Sequence, residues 1–144
     1  MTNIRNDRSE VLESDANPNV KRWRRLATDP RFVKKAAATL LEGAHLAECY
    51  FHTGLPVTNL LMAESANAEA RAWIETYEKE RGLRARVVAD RLWQTLSPVE
   101  HGVGIMLEVP VPKTGAVDYA REDVLYLDGV QDAGNMARNF MPVE

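Results

Sequence analysis

The chain has 144 residues, 45% of them hydrophobic, which suits one domain with an apolar core. It lacks the ~20 consecutive apolar residues of a membrane-spanning helix and the apolar run of a secretory signal. The single cysteine, Cys49, excludes an internal disulfide and fits a reducing compartment. Composition therefore predicts a cytoplasmic protein with no membrane partner.

Charge is distributed unevenly along this chain, whose net charge is −3. Residues 21–35 contain seven basic side chains and one acidic side chain, so this segment is +6 and the remainder is −9. A cationic helical face can follow a phosphate backbone and gain affinity from counterion release. The alternative is a solvated face without a partner. We favour structured RNA, bound by Lys21, Arg22, Arg24, Arg25, Arg31, Lys34 and Lys35.

The N-terminal part of the chain predicts a leader and then two helices. Residues 1–16 are polar and lack periodicity, so we expect a disordered leader. Asn17-Pro18 and Asp29-Pro30 each combine a capping side chain with a proline suited to the first helical turn. They predict a helical pair whose outer faces are basic.

From residue 39 onward, short apolar strands alternate with amphipathic helices. We predict strands at 39–42, 57–62, 86–89 and 105–109, and helices at 44–53, 66–81 and 90–96. This alternation is typical of an α/β fold with a mostly parallel sheet and helices on both faces. The prolines at 110 and 112 start a linker, and a strand at 124–127 belongs to a second domain.

The end of the first predicted strand is a candidate binding turn. Gly43 allows another backbone to approach, and His45 near a helix N-terminus can donate to a phosphate. Glu42 precedes them at the strand end. The alternative is an ordinary turn in which glycine serves only the backbone conformation.

The helix that follows this turn is also a candidate metal-binding element. His45, Cys49 and His52 share one helical face, as zinc ligands can. Three candidates are visible, however, and no Cys-x-x-Cys pair accompanies them. We therefore predict no metal site.

Three segments together resemble one protein family. Residues 17–21 are Asn-Pro-Asn-Val-Lys, residues 40–46 are Leu-Leu-Glu-Gly-Ala-His-Leu, and residues 128–136 are Asp-Gly-Val-Gln-Asp-Ala-Gly-Asn-Met. In order and spacing they resemble motifs of the SpoU-type RNA 2′-O-ribose methyltransferases of the SPOUT superfamily. The resemblance implies a ribosomal-protein-like domain at 17–112 that binds rRNA or tRNA. It also implies that Asn17, Glu42, Gly43 and His45 belong to the RNA-binding face.

The last segment departs from the family pattern. Ala133 replaces a proline, Ala137 a glycine, and Met141 the arginine that helps to deprotonate the ribose hydroxyl in the family. Asn135 is the one catalytic residue that the resemblance transfers to this chain. The motifs that form the knot and the S-adenosylmethionine pocket are absent from the sequence, so we expect 113–144 to be a linker and a truncated start of the methyltransferase domain.

These observations predict an RNA-binding domain of an S-adenosylmethionine-dependent methyltransferase that binds no cofactor and transfers no methyl group by itself. A monomer is favoured because the family pairs largely through its knotted domain. Two alternatives stay open. The chain is a stand-alone RNA-binding or regulatory module without catalysis, or it is an enzyme whose knot is supplied by a partner.

Overall fold

The computed structural model describes residues 10–97, 99–113, 115, 120, 121, 123 and 128. The chain divides into two compact units, Met1–Pro112 and Lys113–Glu144, and the elements below belong to the first. In chain order they are α1 (Pro18–Thr28), α2 (Pro30–Ala36), β1 (Ala38–Glu42), α3 (Ala44–His52), β2 (Asn59–Ala63), α4 (Ala68–Arg81), β3 (Arg86–Val88), α5 (Asp90–Leu96) and β4 (Ile105–Pro110). Among the described helices, none has the length and apolar character needed to cross a membrane.

The two N-terminal helices begin where the sequence predicted. The side chain of Asn17 accepts a hydrogen bond from the backbone N–H of Asn19 at 2.9 Å. The side chain of Asp29 accepts from the N–H groups of Arg31 and Phe32 at 3.0 and 3.2 Å. A proline follows each cap, so both first turns are held by a capping oxygen and a fixed backbone angle.

The sheet is mixed, which corrects the prediction of a mostly parallel sheet. Its strand order is β1-β4-β2-β3. β2 and β3 are parallel, but β4 lies between β1 and β2 and is antiparallel to both. α5, whose seven residues span about 10 Å, follows β3, and residues 97–104 connect it to β4. The chain stays near the carboxyl ends of the other strands and enters β4 in the opposite direction.

Helices pack on both faces of the sheet. One core layer joins the apolar sides of α1 and α5 to the sheet, with Trp23, Leu61, Leu92 and Met106 among its buried residues. The other joins α3 and α4 to the opposite side, where Leu60, Ile74, Tyr77, Ile105 and Leu107 are buried. Alternate residues of β4 belong to alternate layers, as the two-residue period of a strand requires.

The N-terminal strap, which we define as residues 10–15, is ordered on the sheet, whereas we predicted a disordered leader through residue 16. Leu12 donates to the carbonyl of Val87 at 2.8 Å, and its own carbonyl accepts from Ala89 at 3.0 Å. This parallel bridge extends the edge at β3. Leu12 also packs against the core, so an apolar residue within a polar segment orders the strap.

Candidate nucleic-acid interface

Five basic residues of the helical pair are exposed, and four of them have no carboxylate partner in the described part of the chain. Among the described residues, these four have no carboxylate within 4.0 Å, and we call them the open cations: Lys21, Arg31, Lys34 and Lys35. Arg31, Lys34 and Lys35 have i, i+3 and i+4 spacing on α2, so they share one side of that helix. They form the least compensated positive charge of the predicted interface.

Arg25 joins the two helices through an aromatic ring. Its guanidinium carbon lies 3.9 Å from the centre of the Phe32 ring, and a guanidinium nitrogen lies 3.9 Å from a carboxylate oxygen of Asp29. The side chain of Arg25 is 60% exposed. Because a planar guanidinium stacks on aromatic faces, this contact orders the cation without removing it from solvent.

Arg22 faces inward, toward a buried carboxylate on β4. Its Nε and one terminal nitrogen both lie 2.9 Å from one oxygen of Glu108. The other oxygen accepts from the indole Nε1 of Trp23 at 2.8 Å and from the side-chain amide of Asn59 at 2.7 Å. We call these four residues the Glu108 cluster. Arg22 was predicted to bind RNA, and the structure places its guanidinium in this structural contact.

The environment of Glu108 favours its ionised form. Burial by itself raises the pKa of this carboxyl, since its side chain is 1% exposed. Hydrogen bonds from Trp23, Asn59 and Arg22 outweigh that effect and hold the pKa below its ordinary value. One signal of this cluster is visible in the sequence, a single Glu among the apolar residues of the strand predicted at 105–109.

Arg24 is also paired, but at the surface. A terminal nitrogen of Arg24 lies 2.9 Å from one oxygen of Asp15, and a terminal nitrogen of Arg91 lies 2.6 Å from the other. Arg91 donates as well to the backbone carbonyl of Glu13. Hydrogen bonds from Arg91 and then Arg24 lower the pKa of Asp15. We call these three side chains the Asp15 clamp, and no local pattern in the sequence indicates it.

Of the other predicted binding residues, Asn17 caps α1, and Glu42, Gly43 and His45 lie at the turn between β1 and α3. The hydroxyl of Ser97 donates to Glu42, and Gly43 has a φ of +104° at the start of α3. His45 is exposed, and its Nε2 lies 3.9 Å from the Sγ of Cys49. α2 ends where β1 begins, so the length of β1, about 16 Å, separates Lys35 from Glu42. The structure does not bring these two predicted groups together.

A cavity of about 460 Å³ opens at the sheet edge where β1, β2 and β3 end. It is lined by Ala63, Ser65, Asp90, Trp93, Gln94, Ser97, Val99, Glu100, Gly102 and Gly104. The described lining includes two carboxylates and no cation that could receive the carboxylate of S-adenosylmethionine. We derive no methyl-transfer step from this cavity.

The catalytic remnant that we predicted lies outside the described residues. This applies to Asn135 and to the strand predicted at 124–127. His45, Cys49 and His52 form no cluster of three metal-ligating side chains in the part of the chain that the structure describes. The residues that sequence reasoning missed are Asp15, Arg91, Asn59 and Glu108, because each acts through a partner distant in the sequence.

Three solved structures share this fold. One is an RNA 2′-O ribose methyltransferase, with a TM-score of 0.59 and 22% identity over 74% of this chain. The second is the SpoU methyltransferase AviRb from Streptomyces viridochromogenes in complex with S-adenosylmethionine, with a TM-score of 0.52 and 19% identity over 67% of this chain. The third is an rRNA methyltransferase from Sinorhizobium meliloti with the same cofactor bound, with a TM-score of 0.57 and 15% identity over 73% of this chain.

The shared fold is an α/β domain with a four-stranded mixed sheet and five helices in its described part. It confirms, at the level of the fold, the resemblance to SpoU-type RNA methyltransferases that the sequence motifs indicated. The chain spans 39%, 34% and 38% of the lengths of these three proteins. No model of a protein family matches the sequence, and no curated protein is significantly similar to it.

Proposed function

We propose that this chain is an RNA-binding domain of the kind found in SpoU-type RNA 2′-O-ribose methyltransferases, and that it contacts structured RNA through the helical pair α1–α2. The observation that carries the proposal is the group of open cations in an otherwise acidic protein. The fold supports it, because the three similar structures are an RNA 2′-O ribose methyltransferase, a SpoU methyltransferase and an rRNA methyltransferase.

The open cations have the chemistry that phosphate binding requires. Lysine and arginine side chains that replace the counterions of RNA gain affinity from ion release, and this gain falls as salt rises. Arg25, stacked on Phe32, adds a planar donor beside them. Because phosphates carry no sequence information, these contacts would position the RNA and leave its identity, rRNA or tRNA, to other contacts.

Methyl transfer has structural requirements that RNA binding does not share. Methyl transfer needs the cofactor's methyl group held in line with the ribose hydroxyl, plus a group that accepts the proton. The matched fold spans less than two fifths of the similar enzymes. We therefore propose that the 144-residue chain binds RNA as a monomer, without S-adenosylmethionine and without methyl transfer.

The proposal is tested by RNA affinity across a salt series. In one variant Lys34→Glu and Lys35→Glu reverse two open cations, and in the control Lys79→Glu and Arg86→Glu reverse two exposed cations on α4 and β3. Both variants change the net charge equally. We expect the helix variant to bind a structured RNA about tenfold more weakly, with a salt slope smaller by about 1.4–1.8, and the control to lose less than about threefold.

Two results would contradict this proposal. Equal losses in both variants would show that the net charge alone, and not the helical pair, governs binding. A wild-type chain that binds no structured RNA at low salt would instead favour the alternative of a regulatory module. Incubation with labelled S-adenosylmethionine and RNA tests the remaining part, since we expect no transferred label.

A further inference from the structure

The Asp15 clamp has the geometry of an occupied anion site. Two guanidinium groups converge on one carboxylate, and each binds a different oxygen, at 2.9 Å for Arg24 and 2.6 Å for Arg91. A phosphate offers the same arrangement of oxygens, and arginine recognises carboxylate and phosphate with the same planar fork. The clamp therefore contains the hydrogen-bond donors of a phosphate-binding site, and the Asp15 carboxylate occupies the position of the phosphate.

The arginines are oriented independently of Asp15. The Nε of Arg24 donates to the hydroxyl of Thr95 at 3.2 Å, and that hydroxyl donates to the carbonyl of Leu92 at 2.7 Å. Arg91 is held by the backbone carbonyl of Glu13. Because these contacts do not involve the Asp15 carboxylate, removing that carboxylate leaves two preoriented donors without an acceptor.

Asp15 is replaceable where it lies. Its side chain is 58% exposed, and those of Arg24 and Arg91 are 34% and 62% exposed. Ion pairs this open to water contribute little net stability, so a competing anion can displace the Asp15 carboxylate at a small cost in free energy. Arg24 also lies three residues after Lys21 on α1, which places the clamp beside an open cation.

We propose that Arg24 and Arg91 form a phosphate-binding site for the RNA backbone, and that Asp15 occupies this site until RNA displaces it. The inference rests on the proposed RNA-binding function and adds a regulatory element to it. The Asp15 side chain then acts as a built-in competitor that weakens binding to any isolated phosphate. Only RNA that also engages the open cations gains enough to displace it.

The test compares two substitutions that remove the same charge. Asp15→Asn removes the competitor, while Glu13→Gln removes one negative charge two residues earlier and keeps the backbone carbonyl that Arg91 binds. We expect Asp15→Asn to bind structured RNA about three- to tenfold more tightly at low salt. Its salt slope should match that of the wild type, because RNA neutralises the same number of phosphates once it has displaced Asp15. Glu13→Gln should change the affinity less than about twofold, and Arg91→Gln added to Asp15→Asn should abolish the gain.

Equal effects of Asp15→Asn and Glu13→Gln, or no gain in Asp15→Asn, would overturn the inference. Inorganic tripolyphosphate separates this failure from that of the proposed function. If no variant binds RNA, the proposed function fails, but tripolyphosphate should still shift the NMR signals of the Arg24 and Arg91 Nε–H groups in Asp15→Asn more strongly than in the wild type. The absence of that difference would overturn the anion site itself.

Discussion

Helix α1 supplies arginines to two carboxylates, and the two pairs differ in burial. Arg22 binds Glu108, whose side chain is 1% exposed, whereas Arg24 binds Asp15, whose side chain is 58% exposed. The donor chemistry and the distances are nearly the same. Burial therefore decides what each pair can do, because a buried carboxylate cannot exchange its donors for water and an exposed one can.

The surrounding donors strengthen this contrast. Glu108 also accepts from Trp23 and Asn59, which lie on α1 and β2, so it joins a helix to the two strands β2 and β4. Asp15 joins α1 and α5 only through the half-buried guanidinium group of Arg24 and the exposed one of Arg91. We conclude that the Glu108 cluster is structural and that the Asp15 clamp is an exchangeable contact.

The largest effect is expected from Glu108→Ala. This substitution leaves the Trp23 indole N–H and the Asn59 amide without their acceptor inside the core. We expect the free energy of unfolding to fall by about 3–4 kcal/mol. Urea denaturation measures it, with Glu80→Ala on the exposed side of α4 as the control. A loss below about 1 kcal/mol for Glu108→Ala would remove the contrast between the two carboxylates.

Lowering the pH should remove the stabilisation that Glu108 provides, without any substitution. Because the pKa of Glu108 is lower in the folded state than its ordinary value of 4.5, the ionised carboxylate stabilises the fold above that pH. This contribution is lost as the pH falls through the folded-state pKa. The difference in unfolding free energy between the wild type and Glu108→Gln should therefore be constant near neutrality and shrink below pH 4.5. A difference in unfolding free energy that does not change as the pH falls to about 3 would contradict this assignment, since one pKa unit corresponds to about 1.4 kcal/mol.

A smaller loss is expected from Trp23→Phe, which keeps an aromatic ring in the core but removes one donor to Glu108. We expect a decrease of about 1–2 kcal/mol beyond that of the matched substitution Trp93→Phe. Trp93 belongs to the same core layer, and its indole nitrogen has no hydrogen-bond partner among the described residues. Equal losses for the two substitutions would show that packing alone accounts for the role of Trp23.

The smallest effect on stability is expected from Asp15→Asn. Since the clamp is exposed, the urea midpoint of this variant should match that of the wild type at moderate salt. Comparing both proteins at low and high salt checks the result, because a surface pair that mattered would do so mainly at low salt. A clear loss of stability at both salt concentrations would make the clamp structural, like the Glu108 cluster.

The local features of this fold were predictable from the sequence. Asn17-Pro18 and Asp29-Pro30 mark helix starts because a cap depends on residues two or three positions away. The direction of β4 was not predictable in the same way, since it depends on how far α5 carries the chain and on pairing with β1 and β2. Alternating strands and helices favoured a parallel sheet, whereas β4 enters the sheet antiparallel to both of its neighbours.

The candidate interface was predictable only in part. The excess of basic residues at 21–35 is visible in the sequence, but their partners are not. Arg22 lies 86 positions from its partner Glu108. Arg24 lies 9 positions from its partner Asp15, which is itself 76 positions from Arg91. No helical or strand spacing therefore shows that these two arginines are engaged while Lys21 and Lys34 are open. Only the tertiary structure shows which of these cations are paired and which are open.

The position of β4 has a consequence for the order of folding during synthesis. β4 is the last strand along the described part of the chain, yet it is the one that pairs with β1 and with β2. Until residue 110 leaves the ribosome, β1 has no strand to pair with, and no strand links β1 to the pair β2–β3. The sheet can therefore close only after the residues of both helix layers have been synthesised.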